Sequence, residues 1–183
     1  MQLTTPITAR IVAKLTGRIG EVGLVRSFFG TQSNGGPDVW EQALDTAVGD
    51  TVSVPDIASL EKGYLYIVPA SGSGSTNMKM LVYTNNAGAA GTLLATSSST
   101  LVSAAGWAEF NFSGQLLIPG SYHIVAVSSA VGGTGWDVGS VANGGVPSAR
   151  TYGPFSYAAP PATAPAPTAT ANSDLAAYIT CTY

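Results

Sequence analysis

From Gly63 to Tyr183 the sequence is a succession of short apolar or alternating runs, each closed by glycine, serine, asparagine or proline. The runs are GYLYIVPA (63–70), KMLVYT (79–84), GTLLATSS (91–98), WAEFNFS (107–113), SYHIVAVSS (121–129) and AAYITCTY (176–183). All have strand length and are rich in β-branched and aromatic residues, and helical spacing of apolar positions is absent between them. A chain built this way buries its apolar side chains by pairing the runs into antiparallel sheets and closing those into a sandwich or barrel. At 183 residues it has enough length for one such domain with a sizeable core.

Parity within the runs assigns their faces, because successive strand side chains point to opposite sides. In WAEFNFS, Ala108, Phe110 and Phe112 share one face and Trp107, Glu109 and Asn111 the other, so the phenylalanines are expected inside. In AAYITCTY, Ala177, Ile179 and Cys181 fall together, which makes Cys181 a core residue. The connections ASGSGSTN, NNAGAAG and PGS supply glycine for positive φ, and Pro119-Gly120 has the composition of a type II turn centre. NNAGAAG lacks both the spacing and the lysine of a phosphate-binding loop, and it lies between two strand runs with no helix to follow. It is therefore expected to be a turn between neighbouring strands.

Two segments break the rhythm. Residues 158–173, AAPPATAPAPTATANS, hold Pro160, Pro161, Pro165 and Pro167 and are expected to form a long extended surface loop. At the other end, residues 1–26 carry Arg10, Lys14, Arg18 and Arg26 against Glu21, a charge of +3. Residues 27–183 carry three cations against nine acids, −6, which completes the formal −3. Arg10, Lys14 and Arg18 stand four apart as on one helix face, yet Gly17, Gly20 and Gly23 weaken a helix there. We read residues 1–27 as an arm ordered by a partner, with Ile7, Arg10, Ile11, Lys14, Leu15, Arg18, Ile19 and Arg26 as its docking residues, and residues 28–183 as the sandwich. The alternative is that this segment adds a strand to the body.

Chemistry-bearing constellations are sparse. His123 is the single histidine and lies in an alternating strand, with no sign that a nucleophile and an orienting carboxylate converge on it. The ten acids form no recognisable pair for glycoside hydrolysis. One cysteine excludes an internal disulfide and a multi-cysteine zinc site, and neither SNGGPD (33–38) nor ANSD (171–174) resembles a calcium loop. No catalytic residue, cofactor or metal is expected. There is no apolar stretch of membrane-spanning length and no secretion signal, so no membrane partner is expected. Four cations are too few to indicate nucleic acid. With charged residues at 9% against roughly 25% in an average domain, the surface is polar but uncharged. For binding, the aromatics in loop-like sequence remain: Trp40, Trp136 and Tyr157, whose rings would stack on a sugar if exposed, though tryptophan is more often buried.

The order of LVYTN, a Gly-TLLATS loop end, AAGWAEFNF, LLIPGSYHIVAV and AAYITCTY resembles a jelly-roll β-sandwich module found in bacteriophage structural proteins and bacterial surface proteins, similar to carbohydrate-binding modules. The resemblance spans roughly residues 28–183 and rests on the order of short motifs. It implies an all-β, antiparallel two-sheet fold and a non-catalytic role in display or recognition. Together with the arm it points to a virion structural protein, a capsid decoration or fibre component on the particle surface. Its partners would be capsid or other virion proteins and further copies of itself. The alternative is a glycan-binding module recognising cell-surface polysaccharide.

Overall fold

The computed structural model of the chain describes residues 25–33, 39–40, 46–68, 75–129, 137–142 and 148–183. Fourteen strands are found among them. In chain order they are β1 (Arg26–Gly30), β2 (Val39–Trp40), β3 (Ala47–Val54), β4 (Ala58–Val68), β5 (Thr76–Asn86), β6 (Ala89–Thr96) and β7 (Thr100–Val102). They continue with β8 (Gly106–Leu117), β9 (Gly120–Ser128), β10 (Asp137–Ala142), β11 (Ala149–Tyr152), β12 (Pro167–Ala171), β13 (Ser173–Leu175) and β14 (Ala177–Thr182).

Eight of these form four nested antiparallel pairs, β1 with β14, β3 with β9, β4 with β8 and β5 with β6. Successive pairs alternate between two sheets. The first sheet runs β1-β14-β4-β8, joined through β14 and β4, and the second β3-β9-β5-β6, joined through β9 and β5. A paired ribbon rolled up so that its first strand meets its last is a jelly roll, the architecture expected from the sequence. The short strands extend the margins: β2, β10 and β13 continue the first sheet, β11 and β12 widen the second, and β7 lengthens it beside β5.

The core between the sheets follows the parity of the runs. Leu60, Leu65 and Ile67 of β4, Phe110 of β8, and Ile179 and Cys181 of β14 are fully buried against Met80, Val82 and Ile124 of the second sheet. Phe112 is partly buried against the same cluster. Gly63 leaves room for the Met80 thioether, which a Cβ at that position would overlap. Turn geometry is met at NNAGAAG, where Ala87 (φ 51°) and Gly88 (φ 82°) form the two-residue turn of the β5–β6 hairpin. Both central residues have positive φ, the conformation that matches strand twist. The Asn85 Oδ1 accepts the Gly88 N–H at 3.0 Å and fixes the turn. Pro119-Gly120 does not form the type II turn expected of it: Gly120 lacks positive φ and begins β9.

The proline-rich segment is a strap across the second sheet. Pro167 opens β12 at the sheet edge, where a missing N–H costs no ladder bond. Upstream, residues 162–164 run along β6: the Leu93 N–H donates to the Ala162 carbonyl (2.9 Å) and the Ala164 N–H to that of Gly91 (2.8 Å). Under this strap Tyr83, Tyr152, Phe155, Leu81 and Val125 are buried in a second apolar cluster on the outer side of the sheet. The expectation of a plain surface loop over 158–173 is corrected accordingly, because its backbone pairs and covers apolar side chains.

Candidate functional site

Among the described residues, those singled out by sequence do not converge. Ile7, Arg10, Ile11, Lys14, Leu15, Arg18, Ile19 and Trp136 lie outside the described residues. Arg26 and Ser27, assigned above to the arm, are strand residues: they pair with Thr182 and Cys181, and the Arg26 Nε meets Glu61 Oε2 at 2.9 Å. Trp40 pairs through its backbone with Val138. Tyr157 belongs to the strap, where Lys79 lies 4.4 Å from its ring centroid and donates to its carbonyl, and Ser99 meets its hydroxyl at 2.6 Å. With one face held by Lys79, Tyr157 serves to fasten the strap.

His123 and Cys181 are both buried. His123 is fully buried, with Nε2 2.8 Å from the Tyr152 hydroxyl and Nδ1 3.3 Å from Thr51 Oγ1. Burial, helped by the charge of Arg150, pushes its pKa down to about 4, so the ring is neutral at pH 7. The Ala90 N–H donates to the Tyr152 oxygen, and His123 shares one ring proton between its contacts with Tyr152 and Thr51. This chain of bonds ties β6, β11, β9 and β3 together. The Cys181 thiol lies in the main core, and burial raises its pKa to about 11, far from a nucleophilic thiolate at pH 7.

The side chains that do converge are on the outer face of the first sheet. Here β1, β14, β4 and β8 present Phe28, Tyr178, Tyr64, Tyr66 and Trp107 from outward positions, while their inward partners fill the core. Tyr64 and Tyr178 are register partners and stack at 4.7 Å with planes 15° apart. Trp107 meets Tyr178 and Tyr66 edgewise at 5.1 and 5.3 Å, and Phe28, 54% exposed, meets Tyr178 at 5.9 Å. Each contact lies in the range that favours aromatic pairs, so the rings hold one another in place.

A polar group borders the rings. Lys62 Nζ donates to Glu109 Oε1 at 2.6 Å and the Tyr64 hydroxyl to Oε2 at 3.0 Å. These two donors hold the Glu109 carboxyl below the usual carboxylate range. Burial and then the bond to Glu109 push the Tyr64 phenol up to about 12, so it remains a donor. The face thus offers π surfaces, one ionised acceptor and cationic donors within a single cross-strand neighbourhood. No group of three or more potential metal-ligating side chains occurs among the described residues.

The sequence reading places Trp107 opposite the phenylalanines but looks for binding rings in loop-like sequence, and so misses this face. The signal was present: Tyr64 and Tyr66 alternate with Leu65 and Ile67, and Trp107 is on the side opposite the phenylalanines. No protein-family model and no curated protein matches the chain.

Proposed function

We propose that the chain is a non-catalytic recognition protein on the surface of a bacteriophage particle, whose sandwich presents the Tyr64–Tyr178–Trp107 face to saccharides of a cell surface. The observation that supports this reading is the pre-arranged aromatic cluster on the solvent side of a sheet whose other side already packs the core. Aromatic rings supply a flat apolar surface at small entropic cost, and the adjoining Lys62–Glu109 pair supplies directional hydrogen bonds, the combination a sugar's C–H face and hydroxyls require. The non-catalytic part is supported by the structural employment of His123 and Cys181.

Attachment to other virion proteins, or to further copies of the chain, is supported by the apolar end of the same sheet. Ile57, Leu116 and Ile118 are exposed beside the Ala58–Leu117 pair, and Val25 emerges at that end, where its carbonyl accepts the Tyr183 N–H. Residues 1–24 lead into this point with the basic and apolar character read above. Mass spectrometry of purified particles tests the setting: tens of copies per particle are expected, and absence overturns it. A glycan array probed with the intact chain tests recognition, and loss of captured signal in Trp107→Ala with unchanged melting is the expected outcome.

A further inference from the structure

We infer that the saccharide this face accepts is uncharged and binds through a vicinal pair of hydroxyls to Glu109 and Lys62. The inference rests on the recognition reading above and adds the chemical class of the ligand. Among the described residues, the charged side chains that border the rings are Arg26, Glu61, Lys62 and Glu109, and they occur as two neutralised pairs at 2.9 and 2.6 Å. A uronate or sulfate that takes a remaining donor of Lys62 or Arg26 comes up against the carboxylate already paired with that cation, Glu109 or Glu61. Like charges at such separations repel, and the acidic balance of residues 27–183 adds to the repulsion. An anionic sugar therefore has no net attraction to this face.

A vicinal diol has the complementary chemistry. Each Glu109 oxygen accepts one protein hydrogen bond and keeps a second acceptor position, and Lys62 spends one of its three donors on Glu109. One sugar hydroxyl donates to Glu109 while its neighbour accepts from Lys62, and the salt bridge stays intact. Glu109 is the register partner of Tyr64, which stacks on Tyr178, so a ring anchored at this pair has its C–H face beside the aromatic cluster.

The test is titration calorimetry on the intact chain with neutral oligosaccharides, uronate oligosaccharides and sulfated oligosaccharides, at low and high salt. Expected are binding of a neutral oligosaccharide with less than about twofold change between salt conditions, and roughly tenfold weaker binding in Glu109→Gln, the loss of one charge-assisted hydrogen bond. Melting temperature verifies that each variant is folded. Preference for uronate or sulfated ligands, with affinity falling as salt rises, overturns this inference and leaves saccharide recognition standing. It is overturned in the same way if Tyr178→Ala or Phe28→Ala abolishes binding while Glu109→Gln is neutral, since the rings alone then hold the ligand. Failure of every saccharide to bind the folded chain overturns recognition itself.

Discussion

Each sheet of the sandwich has an outer face carrying aromatic side chains, and the two faces have opposite fates. On the second sheet Tyr83, Tyr152 and Phe155 lie beneath the proline-rich strap and form a second core. On the first sheet Phe28, Tyr64, Tyr66, Trp107 and Tyr178 pack edge and face against one another and stay at the surface. The two sets look alike in sequence. What separates them is a covering segment more than seventy residues from Tyr83, whose Pro161 carbonyl accepts the Tyr83 hydroxyl at 2.9 Å. An outer face that is buried under a strap adds to stability, whereas one whose rings are ordered yet half-buried or exposed keeps surface for a ligand.

The largest expected effect tests that division directly. Phe155→Ala should cost about 3–5 kcal/mol, because it opens a cavity in the covered cluster, and Phe28→Ala, at a site already facing water, should cost less than about 1. Denaturant titration of the two variants provides the measurement. Similar losses would show that the first sheet's outer face is a core too and would remove the basis for calling it a recognition surface.

Two carboxylates extend the comparison to charge. Asp50 is buried between β3 and β13, where Oδ1 accepts the Thr51 N–H and Oδ2 that of Leu175, and beside it lies a cavity of about 160 Å³ also lined by Thr31, Ser148 and Asp174. Desolvation outweighs those hydrogen bonds and raises its pKa to about 6. Glu109, on the open face, is shifted the other way. For Asp50 the folded state holds its proton more tightly than the unfolded chain, so its contribution to stability is fully present below about pH 4 and is lost as pH rises through 6. The loss is on the order of 2–3 kcal/mol. Melting curves from pH 4 to 7 should therefore decline in the parent and flatten in Asp50→Asn, with Glu109→Gln retaining the parental slope. A slope unchanged by Asp50→Asn would place its carboxylate in contact with water.

A smaller effect is expected on the open face itself. Glu109→Ala removes the partner of Lys62 and Tyr64, yet an exposed ion pair contributes little, so stability should change by less than about 0.5 kcal/mol. A loss of several times that, by the same titration, would mean that the Lys62–Glu109–Tyr64 group is structural and not held ready for a ligand.

Much of the fold was legible because it rests on local pattern. The six runs from GYLYIVPA to AAYITCTY lie within or overlap β4, β5, β6, β8, β9 and β14, and parity placed Phe110, Ile179 and Cys181 inside. What escaped depends on distant partners. β3 holds Gly49 and Asp50, poor strand residues by propensity, and is a strand because β9 and β11 pair with it on either side. β12 begins with a proline and exists because β11 offers an edge. The aromatic face was hidden for the same reason: alternation tells which tyrosines share a side, and only the assembled sheets tell which side faces away from the core.

The last prediction concerns the hairpin turn that joins β5 to β6. Its turn needs positive φ at both central residues, and the sequence supplies glycine at 88 but alanine at 87, held at φ 51°. An alanine Cβ in that region crowds the following carbonyl, at a cost of roughly 1–2 kcal/mol, which glycine does not incur and asparagine largely avoids. Ala87→Gly loses part of the gain to the greater freedom of its unfolded chain, whereas Ala87→Asn does not. Ala87→Asn should thus raise stability by about 0.5–1 kcal/mol and Ala87→Gly by less, a difference of a few degrees in melting temperature. Neither substitution should alter saccharide affinity, since the turn belongs to the second sheet and the rings to the first. If Ala87→Asn instead lowers the melting temperature, residue 87 does not hold the left-handed conformation and the two-residue hairpin is wrong; if it changes saccharide affinity, the two faces are coupled and their independence fails.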